Sequence, residues 1–459
     1  MTQPSVRSEG AALAALRAVE AELDRRWPES RIEPSLARIA ALVDLLGCPQ
    51  RGYPVLHISG TNGKTSVARM LDALLSSIGL RVGRYTSPHL QLATERISLD
   101  GAPISPERYV EAYHDIEPYV ALVDAGSPVP MSKFEVLTGM AFAAFADAPV
   151  DAAVVEVGLG GSWDATNVVD GAVAAITPVA VDHVNYLGSD IAGIAAEKAG
   201  IIKPGSVVVL AQQVPEVARV IAARSVEVDA TVAREGMEFG VLHRDIAVGG
   251  QLLKLQGLGG VYDEVFLPLH GAHQSRNAVL ALATAEAFFG AGAGRSLDID
   301  VVRHAFATVT APGRLERVRT APSIFLDGAH NPHGARALAT ALREEFAFRR
   351  LVAVVGVMRD KDVRGILAEL EPAVDEVVIT ASSLGRAMGV EDITEAAQEV
   401  FGESRLRVER RLSDAIEAAT ASAEEVDPQD DRISGAGVVI TGSVAMVGEA
   451  RTLFGREPQ

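Results

Sequence analysis

Val55-Leu-His-Ile-Ser-Gly-Thr-Asn-Gly-Lys-Thr-Ser66 carries the strongest structural signal in the chain. A short apolar run meets a turn with glycine at 60 and 63, and apolar residues follow at Val67, Met70, Leu71, Leu74, Leu75 and Ile78. Their spacing is that of one helical face, and Gly79 ends it, so the stretch reads as strand, tight turn and amphipathic helix. The helix begins as the chain passes Lys64. Backbone N–H groups of such a turn and the helix N-terminus cradle phosphates, with Lys64 on the terminal phosphate and Thr65 near magnesium. The usual phosphate-loop spacing puts glycine at position 58, where this chain has Ile58, so the reading rests on context. In the plainer alternative, Gly60 and Gly63 only shape a turn and Lys64 is a surface lysine.

Outward from this loop, short apolar runs at 55–58, 82–85, 152–157, 172–176 and 207–210 alternate with amphipathic segments. Such alternation predicts a mostly parallel sheet wrapped by helices. Helical spacing over 11–46, broken at Pro28 and Pro34, predicts a helical lead-in. The Gly-rich segment 223–269 reads as small antiparallel strands, followed by a long helix over 274–289. Ala311-Pro312-Gly313 then breaks the chain, and a second series of apolar runs begins at 324–326, 351–357, 376–380, 405–408 and 438–441. The expected architecture is α/β throughout. An N-terminal P-loop-type doubly wound ATPase domain, residues 1–311, precedes a C-terminal Rossmann-like domain, residues 312–459. The acidic segment 424–432 reads as a mobile loop.

Composition narrows the function class. The chain has 459 residues, enough for more than one core. A net charge of −18 argues against nucleic acid or anionic membrane partners. Cys48 is the only cysteine, which excludes internal disulfides and fits a reducing, cytoplasmic compartment. The longest apolar stretch, 172–181, is far short of the ~20 residues of a spanning helix.

Several polar residues sit at or just past the carboxyl ends of the expected strands: Ser87, Glu156, Asp182 and His183. That edge is where open α/β sheets bind ligands. Magnesium takes oxygen ligands, so a hydroxyl, one carboxylate and substrate phosphates suffice for it. Singly, Ser87 also suits a turn, Glu156 a salt bridge and His183 a helix start; their common location is what points to function. Lys198 lies on a short helix before the next strand. It reads either as an ordinary solvated lysine or as an amine that takes up carbon dioxide to give a carbamate.

Gly60-Thr-Asn-Gly-Lys-Thr-Ser66 resembles the phosphate loop of the Mur ligase superfamily. Further segments resemble its folylpolyglutamate synthase/dihydrofolate synthase family. They include Tyr85-Thr-Ser-Pro-His-Leu90 with Glu95-Arg-Ile97, Phe134-Glu135, Glu156-Val-Gly-Leu-Gly-Gly161 with Asp164-Ala-Thr-Asn167, Asp182-His183 and Glu197-Lys-Ala-Gly200. Beyond them come His273-Gln274 with Asn277, Pro312-Gly-Arg-Leu-Glu316, Leu326-Asp-Gly-Ala-His-Asn-Pro332, Asp360-Lys-Asp362 and Thr441-Gly-Ser443. The matches cover nearly the whole chain. Thr65 departs from the pattern, standing where many folate members carry glycine, and Trp163 occupies a variable position.

The resemblance implies an ATP-dependent ligase that joins L-glutamate to dihydropteroate and to the γ-carboxylate of folates through an acyl phosphate, or, as the alternative, to folates alone. It implies Asn62, Gly63, Lys64, Thr65, Asn277, Arg314 and Asp327 on ATP. Ser87, Glu156, His183 and Thr65 would surround magnesium, expected as two ions, with Lys198 carbamylated and His330 close by as a catalytic candidate. The pterin site would fall on Ile32, Glu33, Pro34, Ser35, Ser132, Lys133, Phe134, Glu135, Trp163, Asp164 and Ala165. A monomer acting on small molecules is expected. A cell-wall Mur ligase usually carries a sizeable nucleotide-sugar domain ahead of its loop, whereas this loop begins at Gly60. An idle binding protein on the same fold would have no need of the lysine, metal-side carboxylate and second-domain aspartate together.

Overall fold

The computed structural model describes residues 6–27, 33–290, 292, 294–425 and 435–459. The expected pterin residue Ile32 and most of the acidic segment 424–432 lie outside them. The loop-bearing strand β1 (Val55–Ser59) is central in a sheet with β2 (Val82–Tyr85), β3 (Ile97–Leu99), β4 (Ala102–Pro103), β5 (Ala152–Glu156), β6 (Gly171–Ile176), β7 (Val207–Leu210) and β8 (Thr231–Arg234). The order is β4-β3-β2-β5-β1-β6-β7-β8. From β2 to β8 every pairing is parallel, while β3 and β4 run antiparallel at one edge. Strands β1 and β5 are buried at every position, as strands covered by helices on both faces must be.

Side-chain alternation divides this burial between two cores. Leu56 and Ile58 of β1, with Ala152 and Val154 of β5, pack under the helices Lys64–Ser77 and Ala272–Phe288. Val55, Ala153 and Val155 face the opposite way, against the helices Pro106–Gly126 and Lys133–Asp147. Register then places Ile58 opposite Glu156 and Ser59 opposite Ile176. The phosphate loop therefore leaves the sheet between two strand ends, where the chain order reverses around β1.

A separate antiparallel sheet contains β9 (Gly240–Ala247), β10 (Gly250–Gln256) and β11 (Val261–Leu267). This corrects the reading of 223–269 as antiparallel throughout. Residues 223–227 end the helix Pro215–Glu227, and β8 pairs parallel with β7 at the rim of the main sheet. An edge strand with only one buried position, Ala233, carries too little apolar signal to be told from a hairpin strand.

The last sheet joins β12 (Glu316–Thr320), β13 (Ser323–Leu326), β14 (Arg350–Val355), β15 (Glu376–Ile379), β16 (Leu406–Val408) and β17 (Ala436–Thr441) in the order β12-β13-β17-β14-β15-β16. All pairs are parallel except β12–β13. The sequence reading missed β12, and the short pair β3–β4 too, because these are exposed or very short edge pieces. Its expected doubly wound second sheet is present.

The two α/β bodies also touch away from their strand ends. Leu90 lies on the helix Val444–Leu453 so closely that a Cβ at Gly448 would stand 1.8 Å from the Leu90 carbonyl oxygen. Gln91 donates to Thr452 Oγ1 at 3.2 Å and accepts from Arg451 Nε at 2.9 Å. Gly448→Ala is expected to cost about 1–3 kcal/mol by overpacking, seen in calorimetry as a lower Tm; an unchanged Tm would mean this contact is not held in solution.

Candidate active site

Glycine at 60 and 63 is a steric requirement. A Cβ at Gly60 (φ +137°) would meet Thr177 Oγ1 at 1.9 Å, and one at Gly63 (φ +92°) would meet Asn277 Oδ1 at 2.6 Å. The turn is thus pressed between the end of β6 and the helix Ala272–Phe288, with Gly63 capping the helix Lys64–Ser77. Asn277, expected on the nucleotide, packs directly on the loop. Lys64 Nζ donates to the carbonyls of Gly60 and Thr61 at 3.2 and 3.3 Å. Burial lowers its pKa, while Glu156 opposes that shift. Lys198 Nζ donates to the same Gly60 carbonyl at 2.9 Å, and burial, reinforced by Lys64, lowers its pKa to about 7. Two lysine amines thus converge on one loop, and Lys64, whose charge Glu156 supports, is the cation placed for phosphates.

Glu156, at the tip of β5, is 1% exposed. Thr65 Oγ1 donates to its carboxylate at 3.0 Å and the Ser87 N–H reaches it at 3.4 Å. No lysine or arginine forms an ion pair with it among the described residues, and burial raises its pKa although Lys64 and Thr65 oppose this. A buried carboxylate supported by hydroxyl and amide groups, without its own cation, suits a hard ion completed by phosphate oxygens. Among the described residues no group of three or more His, Cys, Asp or Glu side chains could hold a metal alone. Thr65, Ser87 and Glu156 come together; His183 is engaged elsewhere, with Asp182 and Lys361.

That second cluster joins the two bodies. Asp182 accepts from Lys361 Nζ at 2.6 Å and from Asn331 Nδ2 at 2.9 Å, with His183 and His330 within 4 Å. Burial alone would raise its pKa, but Lys361 and the two histidines hold it well below the usual carboxylate range. His330 and His183 are lowered to about 4, first by burial and then by Lys361, so both rings are neutral at pH 7. Asn331 and Asn62 exchange two amide hydrogen bonds of 3.1 Å, and Asn331 Oδ1 also caps its own helix through Gly334 N at 2.8 Å. Lys361 and Asn331 were not assigned roles from sequence, although Asp360-Lys-Asp362 and the Asn-Pro pair mark their loops.

Asp327 accepts from Leu315 N and Ala329 N, both at 2.8 Å, which pins the linker strand to the second body. Its pKa is raised by burial and opposed by Arg314. A Cβ at Gly328 would stand 2.2 Å from Arg314 Nη1, so the guanidinium lies across this loop.

The residues expected on the pterin line a neighbouring region with much internal bonding. Ser132 and Glu135 form a capping box, Glu135 pairs with Arg38 Nε at 3.0 Å, and Arg38 also approaches Glu33. Ser35 caps the turn before Ala37, next to Pro34. Lys133 bridges to Glu20 and Asp24. Phe134 covers Gly158, whose Cβ would fall 2.4 Å from the ring, and Trp163 backs Gly160. Asp164 accepts from Leu159 N, Thr166 N and Thr166 Oγ1 beside buried Ala165. Its carboxylate therefore shapes the 158–161 turn.

The domain family described as Mur ligase, glutamate ligase domain matches residues 313–443. A dihydrofolate synthase/folylpolyglutamate synthase of Mycobacterium tuberculosis is 61% identical over 464 residues, covering 97% of this chain and 95% of that protein. The structure of Mycobacterium tuberculosis folylpolyglutamate synthase complexed with ADP matches with TM-score 0.94 at 60% identity, over 98% of this chain and all of that one. Escherichia coli FolC in complex with DHPP and ADP matches with TM-score 0.82 at 28% identity, over 97% and 98% of the two chains.

Lys198 sets a stability slope. With a folded pKa near 7 against about 10.4 unfolded, the unfolded chain binds the extra proton between those values, so stability rises with pH there. Denaturant midpoints of the wild type should climb relative to Lys198→Met from pH 7 to 10; parallel curves would contradict a buried, proton-shedding amine.

Proposed function

The chain belongs to the folylpolyglutamate synthase/dihydrofolate synthase family of the Mur ligase superfamily, and from that premise we propose how its residues carry out the family's reaction. It is an ATP-dependent acid–amino-acid ligase that adds L-glutamate to dihydropteroate and to the γ-carboxylate of folates. The observation that carries this reading is the meeting of a phosphate loop, a cation-free buried carboxylate and second-domain polar groups at facing strand ends.

A substrate carboxylate oxygen attacks the γ-phosphorus of ATP, the bond to the bridging oxygen breaks, and ADP leaves behind an acyl phosphate. Lys64, Asn62 and the amides of Gly63 and Thr65 hold the phosphates, and electrostatic stabilisation is the dominant help that phosphoryl transfer can receive. Glu156, Thr65 and Ser87 would hold magnesium, which neutralises developing phosphate charge when bound; His183 would have to leave Asp182 and Lys361 to join them. The amine of L-glutamate then attacks the acyl carbon, the carbon–oxygen bond to phosphate breaks, and one proton leaves the nitrogen. His330 is assigned as acceptor of that proton: its Nδ1 bonds to the Gly328 carbonyl at 2.8 Å, which leaves Nε2 with the lone pair. Water would hydrolyse the acyl phosphate, so closure of residues 312–459 over 1–311 protects it. Asn277, Arg314 and Asp327 are assigned to the nucleotide. Ile32 to Ser35, Ser132 to Glu135 and Trp163 to Ala165 are assigned to the pterin.

Two further assignments complete the proposal. Lys198, with much of its amine neutral near pH 7, is the amine suited to a carbamate that would extend the oxygen ligands toward a second ion. Carbon-13 bicarbonate should give a carbamate resonance lost in Lys198→Met; the same spectrum from both proteins would refute it. The chain is assigned to the cytoplasm as a monomer without nucleic acid or membrane partners, in line with its acidity and single cysteine. Among the described residues, no helix is long and apolar enough to cross a membrane.

Purified protein with ATP, magnesium and L-glutamate should release phosphate when given dihydropteroate and also when given tetrahydrofolate. Silence with both would refute the substrate reading, and turnover with one would narrow it. Lys64→Ala should abolish release; appreciable residual turnover would contradict its place on the transferred phosphate.

A further inference from the structure

The segment between Thr86 and Arg96 is rigidly held although it has little regular structure. Glu95 accepts three backbone N–H bonds, from Leu90 at 2.8 Å and from Gln91 and Leu92 at 2.9 Å each, while Thr86 N donates to the Arg96 carbonyl at 2.9 Å. One end of the segment reaches Glu156 through the Ser87 amide. The other rests on the second domain through Leu90 and Gln91. Near it stand Lys133, close enough to perturb His89 electrostatically, and Phe134, packed near Tyr85 with ring centroids 6.0 Å apart. The segment therefore crosses the gap between the metal-side carboxylate and the pterin-side residues, the gap in which the reacting carboxylate has to lie.

His89 is the imidazole on that crossing, and its proton is assigned by its partner. Arg96 Nε, which always carries hydrogen, donates to His89 Nδ1 at 3.0 Å. Nδ1 is then the acceptor, and the ring hydrogen sits on Nε2. Arg96 is itself buried, at 4% exposure, so the orientation is built in. Nε2 makes no hydrogen bond among the described residues. An oriented N–H without a partner among the described residues, two positions along the chain from the Ser87 amide that reaches Glu156, is the arrangement expected of a donor waiting for a substrate oxygen.

We propose that His89, oriented by Arg96, donates its Nε2–H to the acyl oxygen of the substrate carboxylate as that group is phosphorylated and then attacked by the amine. The proposal rests on the ligase reading above. His89 acts as a neutral donor and takes no proton in either step. Arg96 is a positioning residue acting through it.

The test compares His89→Leu, which removes the donor, with His89→Gln, which keeps an N–H at similar reach, using phosphate release with dihydropteroate. His89→Leu should lower kcat by about 10²–10³-fold with the KM for ATP unchanged, and His89→Gln should recover much of the loss. An unchanged kcat in His89→Leu, or a His89→Gln rate no better than His89→Leu, would overturn the proposal. Should His89→Leu fail to fold, nitrogen-15 spectra of the wild-type imidazoles decide. The Nε2–H resonance lost in His89→Gln should move when dihydropteroate is added with ADP, and a fixed resonance would overturn the proposal. Wild-type phosphate release, run alongside, separates the two readings: if it is absent the ligase reading fails, and if it is present with unaffected variants only the His89 proposal fails.

Discussion

Asn331 accepts and donates across the boundary between the two α/β bodies while capping its own helix. Its oxygen is shared by Gly334 N and Asn62 Nδ2, and its amide nitrogen by Asn62 Oδ1 and Asp182. A buried amide satisfied in this way admits few relative placements of its partners, because each lost bond leaves a polar group unpaired at about 1–3 kcal/mol. The carboxyl edges of the two sheets are consequently held face to face. Asp182 and Lys361 reinforce this with a pair only 7% exposed on each side, whose worth depends on the surrounding hydrogen bonds.

This geometry explains how an acidic chain handles anionic substrates. The net charge of −18 is distributed over the whole molecule, whereas Lys64 and Lys361 converge on the junction and Arg314 approaches it from the linker. Low local dielectric strengthens those fields. It also explains the lowered pKa values of both lysines on the loop floor and of the histidines around Asp182, since burial disfavours each charged form. Phosphates arriving there would meet cations already stripped of much of their water.

The fully buried strands were legible because their apolar runs are continuous and their breaks are glycines with a steric duty. Gly60 and Gly63 announced the loop, and Glu156 could be placed at a strand end by counting. What the sequence left hidden was geometry between distant segments. The bond from Lys198 to the Gly60 carbonyl spans 138 positions and leaves no periodic trace. The roles of Asn331 and Lys361 depend on which edge faces which. His183, grouped from its position with Glu156 and Ser87, turns instead to Asp182 at a left-handed backbone (φ 53°). The edge strands β4, β8 and β12 escaped or were misread because exposed positions dilute the apolar signal, and β3 escaped because three residues are too few to show a period.

If the two edges act as one site, Asn62 and Asn331 must be coupled in the function they serve. A double-mutant cycle of Asn62→Ala and Asn331→Ala on kcat/KM for ATP tests this most directly. An interaction energy above about 1 kcal/mol is expected, with the double variant little worse than the more damaged single one. Strictly additive losses would mean that the two domains bind and activate independently, and would contradict it.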